Sequence, residues 1–204
     1  MSFTSSSLVL ATGNQGKIRE LRDLFAGLPL ELKSLRDFEQ IVEVEETGSS
    51  FRENAELKAS GFAVQTMQLA LADDSGLEVE ALGNAPGIYS ARFAGSDTGY
   101  DVKIKQLLAM LDEAGDRTRS ARFVCAMALA DGQGKIIHTV EGVCTGTIAA
   151  APNGENGFGY DPIFIPDGFD RTFGELGDEV KRQISHRGKA AELIIRYLLD
   201  FIVL

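Results

Sequence analysis

The chain has 204 residues, 44% hydrophobic and 25% charged, with 22 glycines and 5 prolines; such fractions exclude disorder and fibrous repeats and suit one domain able to bury a core without staples. Its formal charge of −10 argues against binding nucleic acid or an anionic membrane surface, since both require clustered lysine and arginine. Two cysteines with no CxxC pairing, Cys125 and Cys144, no signal-peptide pattern over residues 1–7 and no apolar run of spanning length point to a reducing, cytoplasmic location.

Ser7-Leu-Val-Leu-Ala11 reads as a short apolar strand that leads into Thr12-Gly-Asn-Gln-Gly-Lys17, after which Ile18, Leu21 and Phe25 recur with helical period. Leu30 to Leu35 alternates and predicts a second strand. Ser50-Phe-Arg-Glu53 has capping-box spacing and predicts a helix with Phe51, Ala55, Ala59 and Phe62 on one side. Leu69 to Ala72 reads as a strand that ends at Asp73-Asp74-Ser75-Gly76, and Leu77 to Leu82 as a separate, half-buried strand. Asp101 to Glu113 predicts a helix on Ile104, Leu107, Leu108 and Leu111. Residues 122–130 and 135–143 flank Asp131-Gly-Gln-Gly134 as a hairpin, prolonged by 145–151. Residues 153–161 form a glycine-rich loop, and Ser185 opens a last helix carrying Ala190, Ile194, Tyr197, Leu198 and Phe201. With no repeat and no linker, the pattern predicts a single α/β domain over residues 1–204 around a mixed sheet.

Five segments carry residues suited to chemistry. Thr12 to Lys17 spans a strand-to-helix turn, where backbone N–H groups and the positive helix end suit a phosphate; without a ligand it is a plain glycine-rich turn. It lacks the spacing of a P-loop. Asp73 and Asp74, at the predicted strand exit, suit a metal or the activation of water, or else form an acidic turn. Glu43, Glu45 and Glu46 add a second acidic cluster, and with the aspartates would make an all-oxygen site suited to Mg²⁺ or Mn²⁺ rather than zinc. Lys181, Arg182 and Ser185-His-Arg-Gly-Lys189 form the densest basic stretch, with His186 and Arg187 in the first turn of a helix, against its dipole. Gly157-Phe-Gly-Tyr-Asp-Pro162 offers two aromatics and a carboxylate, either for a base or as a satellite of the core. No G-x-S-x-G or Cys–His arrangement supports a nucleophile.

Taken together, ATGNQGK (11–17), EETGSSFRENAELKA (45–59), ADDSGLEVEALGNAPGIYSARFAG (72–95), GFGYDPIF (157–164) and SHRGKA (185–190) resemble the non-canonical purine nucleoside triphosphate pyrophosphatases, the HAM1-like inosine triphosphatases or XTP/dITP diphosphatases. The resemblance implies an elongated α/β fold, a long mixed sheet flanked by helices, and two lobes with the active site in a central cleft. It implies hydrolysis of ITP, dITP and XTP to the monophosphate and pyrophosphate, with Mg²⁺ and as a homodimer. On this resemblance Thr12, Gly13, Asn14, Gln15, Gly16 and Lys17 would bind the triphosphate, and Lys58 and Ser75 would contact phosphates. Asp74 would be general base and metal ligand, with Glu45 as second ligand. Phe158, Gly159, Tyr160, Asp161, Lys181, His186 and Arg187 would hold base and sugar. The apolar tail, Asp200 to Leu204, departs from the pattern and is expected to pack on the body or on a partner subunit. A pyrophosphatase preferring other bases, or a nucleotide sensor without turnover, is the competing reading.

Overall fold

The computed structural model describes residues 7–115 and 117–202, with side chains to residue 200. The apolar run Ser7–Leu10 forms strand β1, buried throughout. It pairs in parallel with β2 (Glu31–Ser34) on one side and with the start of β3 (Ala70–Val79) on the other, the setting in which near-continuous apolar strands occur. β4 (Ala85–Pro86) pairs antiparallel with the end of β3. β5 (Ser120–Ala130) and β6 (Ile136–Ile148) form the expected hairpin, and β7 (Phe164–Pro166) is antiparallel to β6. The strand order β2-β1-β3-β5-β6-β7, with β4 beside β3, makes the sheet mixed, as the sequence predicts. Five helices accompany it among the described residues: α1 (Gln15–Phe25), α2 (Phe51–Thr66), α3 (Tyr100–Ala114), α4 (Asp178–Ile184) and α5 (His186–Ile202). None is long and apolar enough to cross a membrane.

The chain packs as two compact units, and neither is a contiguous stretch, which is why no linker shows in the sequence. The first unit takes residues 1–74, 125–142 and 187–204; the second takes 75–124 and 143–186. Leu8, Leu10, Leu21, Phe25, Leu71, Met127, Ile194 and Leu198 build the first core. Leu77, Ile104, Leu107, Phe123, Ile163, Phe164 and Phe173 build the second. Each fully buried side chain of this size contributes about 1.5–3 kcal/mol. The predicted helix faces are the ones that pack: Leu21 and Phe25 on α1, and Phe51, Ala55, Ala59 and Phe62 on α2, are buried. α4 is absent from the sequence reading because seven residues give too short a period to detect. Of the tail, Asp200 is exposed; the packing expected of residues 201–204 lies outside the described residues.

The two strands expected on either side of Asp73-Asp74-Ser75-Gly76 are one. β3 runs through all four residues, so the aspartates stand mid-strand and not at a strand exit. An Asp-rich turn forms when the carboxylates bond their own backbone; here both are taken by cations from helices, described below, and the backbone stays extended. Gly76 fits because a Cβ there would collide with Gly87 O and Ser90 Oγ, and the Ser90 hydroxyl also accepts from Leu77 N–H at 2.9 Å. Gly76→Ala is therefore expected to cost about 1–3 kcal/mol through overpacking. A melting temperature equal to that of the unsubstituted protein would show that the packing against residue 76 yields freely.

Candidate active site

In the first unit, β1 delivers the chain to residues 11–14, and Asn14 caps α1 by accepting from Lys17 N–H at 3.1 Å. Asn14 N–H in turn donates to Thr12 Oγ1 at 3.2 Å. Gly13, Asn14 and Gln15 are exposed and Thr12, Gly16 and Lys17 half-buried, so the helix end faces solvent with no acidic residue in its first turn. Such an end attracts anions.

Side chains alternate along a strand, and β3 uses this to give its two aspartates different company. Asp73, wholly buried, accepts from Lys17 Nζ at 3.0 Å and from Arg187 Nη2 at 3.1 Å. Burial alone would raise its pKa, but Lys17 and Arg187 outweigh burial and hold the carboxyl well below the usual range. Arg187 also reaches Glu20 at 2.6 Å; its pKa is raised, since burial is outweighed by Asp73 and Glu20. Asp74 meets α2 instead: its Oδ1 accepts from Lys58 Nζ at 2.8 Å and its Oδ2 from Asn54 Nδ2 at 3.4 Å. Desolvation raises its pKa, only partly offset by Lys58 and Lys17. Adjacent carboxylates are thus driven apart in acidity, the pattern that separates a structural anion from a proton acceptor.

Lys58 Nζ also lies 2.8 Å from Glu46 Oε1. The ammonium therefore sits where two carboxylates from different elements converge, and those carboxylates outweigh burial to raise its pKa. Glu45, the ligand expected from the resemblance, is exposed, as is Glu43. Glu46 is the glutamate that reaches the cluster, because its side chain turns toward α2 on the same side as that of Val44, two residues before it. No group of three His, Cys, Asp or Glu side chains gathers as a cation site among the described residues. Two hard carboxylates, without soft donors, nonetheless suit Mg²⁺, which is held by one or two carboxylates plus substrate phosphates and water.

The basic stretch divides. Arg187, in the first unit, joins the Asp73 cluster. Its charge at the start of α5 is compensated by protein carboxylates, which answers the dipole conflict seen in the sequence. His186, in the second unit, is buried and stacked on Phe123 with centroids 4.6 Å apart.

Within the second unit, Asp161 Oδ2 accepts from Lys181 Nζ at 2.6 Å and from Phe158 N–H at 2.7 Å. Gly157 turns with φ +73°, and a Cβ there would strike the Asp161 carboxylate. Lys181 Nζ stands 4.9 Å from the centroid of Phe158. Tyr160 serves the core: it is edge-on to Tyr100, and its hydroxyl donates to Ser90 O at 3.1 Å. Burial raises its pKa. Half-buried Phe158, flanked by Gly159, is left as the aromatic with a surface to offer. Ser75, next to Asp74 on β3, is half-buried.

Asn54 and Glu20 escape the sequence reading, while Glu46 stands in it only as a member of the acidic cluster. For Asn54 a signal existed: it stands one helical turn before Lys58 on the same face of α2.

Residues 8–197, from β1 into the last turns of α5, match the profile of the Ham1 family. The chain belongs to the Ham1 family. A dITP/XTP pyrophosphatase of Bacillus anthracis is 48% identical over 184 residues, covering 90% of this chain and 91% of its own. A HAM1 protein from Coxiella burnetii superposes with a TM-score of 0.87 at 41% identity, over 95% of this chain and 98% of that one. The Ham1 protein of Staphylococcus aureus gives 0.82 at 41% identity, over 94% and 97%. In this Ham1 chain, then, each unit carries its own polar cluster. The first has cations, an open helix end and a carboxylate of raised pKa; the second has a lysine–aspartate pair beside an aromatic ring.

Proposed function

We propose that the whole chain is one nucleoside triphosphate pyrophosphatase domain that hydrolyses ITP, dITP and XTP to the monophosphate and pyrophosphate, clearing them from the nucleotide pool. The observation that carries the reading is the split pair on β3, Asp73 held by Lys17 and Arg187 and Asp74 by Lys58 and Asn54. The names borne by the relatives point the same way. A triphosphate approaching a chain of charge −10 is repelled at long range, so capture rests on short-range groups: the N–H groups of residues 12–17, Lys17 and Lys58. Asp74 takes a proton from water, whose oxygen adds at phosphorus while the α–β bridging oxygen leaves with pyrophosphate. Such a transfer needs positioning and charge neutralisation more than covalent help. Asp74 and Glu46 are the residues that would hold Mg²⁺, which when bound offsets phosphate charge and acidifies water. Arg187 and Lys17 hold Asp73, the neighbour of Asp74 on β3.

On the base side, Phe158 offers a ring face, and Lys181 offers a donor to a 6-oxo group where adenine would present a 6-amino donor. Such a mismatch, donor against donor, costs roughly 1–3 kcal/mol when buried. Homodimer formation and a cytoplasmic location are part of the same proposal; two cysteines, both buried, suit a reducing compartment. Incubation with ITP and Mg²⁺ is expected to yield IMP and pyrophosphate in equal amounts. Orthophosphate with IDP would mean attack at the terminal phosphorus and would overturn the mechanism.

A further inference from the structure

Glu46 is carried by residues 41–48, which have no regular secondary structure yet lie along α2 with a regular match. Val42 N–H donates to Gln65 Oε1 at 2.8 Å, and Gln65 Nε2 donates to Val42 O at 3.0 Å. Val44 packs on Gly61, where a Cβ would come within 2.6 Å of its Cγ2. Glu46 meets Lys58, and Gly48 N–H donates to Asn54 Oδ1 at 2.8 Å. Every second residue of the strap (42, 44, 46, 48) therefore meets one stripe of the helix (65, 61, 58, 54), Val44 and Glu46 by side chain and Val42 and Gly48 by backbone. A period of two is laid against steps of three and four.

We infer that Gln65 is a positioning residue: its side-chain amide, acting like the backbone of a neighbouring strand, sets the register in which Glu46 and not Glu45 faces Lys58 and Asp74. Val44 gives no register of its own, since an apolar contact is non-directional. Directional bonds sit at the two ends of the strap, Gly48 N–H to Asn54 at one and the pair between Val42 and Gln65 at the other, and the Gln65 pair ties down the end farther from Glu46. A slip of one residue would turn Glu46 outward and bring Glu45 inward, because successive side chains point to opposite sides. The inference rests on the reading of Glu46 as a metal-holding carboxylate.

The test compares full-length Gln65→Ala and Gln65→Glu with the unsubstituted protein. Gln65 is exposed, so neither change opens the core. Amide hydrogen exchange, measured without nucleotide or metal, is expected to speed up over residues 42–48 in Gln65→Ala and to stay unchanged over 51–66. The Mg²⁺ concentration that half-saturates ITP hydrolysis is expected to rise about tenfold, the size seen when a group behind a ligand is lost, with kcat recovered at saturating Mg²⁺. Gln65→Glu keeps the acceptor but not the donor and should fall between. Unchanged exchange over 42–48, or faster exchange without a shift in Mg²⁺ dependence, overturns the inference. Absence of ITP hydrolysis in the unsubstituted protein would strike the proposed function instead, while the exchange result would still decide whether Gln65 holds the strap.

Discussion

Asp74→Asn is expected to lower kcat by about 10²–10⁴, the range of a lost general base, while the protein stays folded and melts no lower than before. The two halves of this expectation have one cause. The Asp74 pKa is raised by burial, so the folded state favours its protonated form. Such a group contributes stability below its unfolded pKa and forfeits it as pH rises through the folded one. The ionised carboxylate is thus a burden on the fold, a cost that the proposed proton transfer from water would account for. Asparagine removes the charge and keeps the shape, and Lys58 remains paired with Glu46. Steady-state hydrolysis and thermal unfolding on the same sample check both halves. A variant with near-normal kcat would move the proton acceptor elsewhere.

Asp73→Ala should give the opposite pattern, a large loss of stability. Removing one member of a buried ion cluster leaves charge uncompensated, at about 3–5 kcal/mol. The low end, about 3, applies here because Arg187 keeps Glu20 and Lys17 is partly exposed. For a chain of this length that corresponds to roughly 6–12 °C in melting temperature. The pH dependence has a definite sign. The Asp73 pKa lies below its ordinary value of 3.8 when folded. Its contribution is therefore complete above about pH 4 and disappears as pH falls through the folded value. Melting curves of the two proteins should lie farthest apart near neutrality and converge in acid. Parallel curves down to pH 2 would show that the cations do not depend on Asp73.

Much of this arrangement is legible in the sequence wherever the signal is local. The strand–turn–helix at residues 7–25, the Ser50 cap and the hairpin at 131–135 all follow from neighbours in the chain. Partners far apart in sequence are what fail. Arg187 and Asp73 meet across 114 positions, and no pattern near Arg187 announces that carboxylate partner. Asp73-Asp74-Ser75-Gly76 reads as a turn by composition, and becomes strand only because helices on both sides supply cations. The choice between Glu45 and Glu46 depends on register against α2, which a charge run cannot specify.

The first core has a consequence for biosynthesis. Its earliest members, Leu8 and Leu10, share it with Ile194 and Leu198 on the last helix. A chain emerging from the ribosome has strands β1 and β3 in hand long before α5, whose apolar face completes that core. At ordinary elongation rates the delay is roughly ten seconds. During it, the part of that core which α5 supplies is missing, and the apolar strands are left more open to pairing with another nascent chain. Shortening α5 would prolong that exposure without touching a single group at the carboxylate cluster. Loss of soluble yield, rather than loss of turnover per folded molecule, is how such a truncation would make itself known.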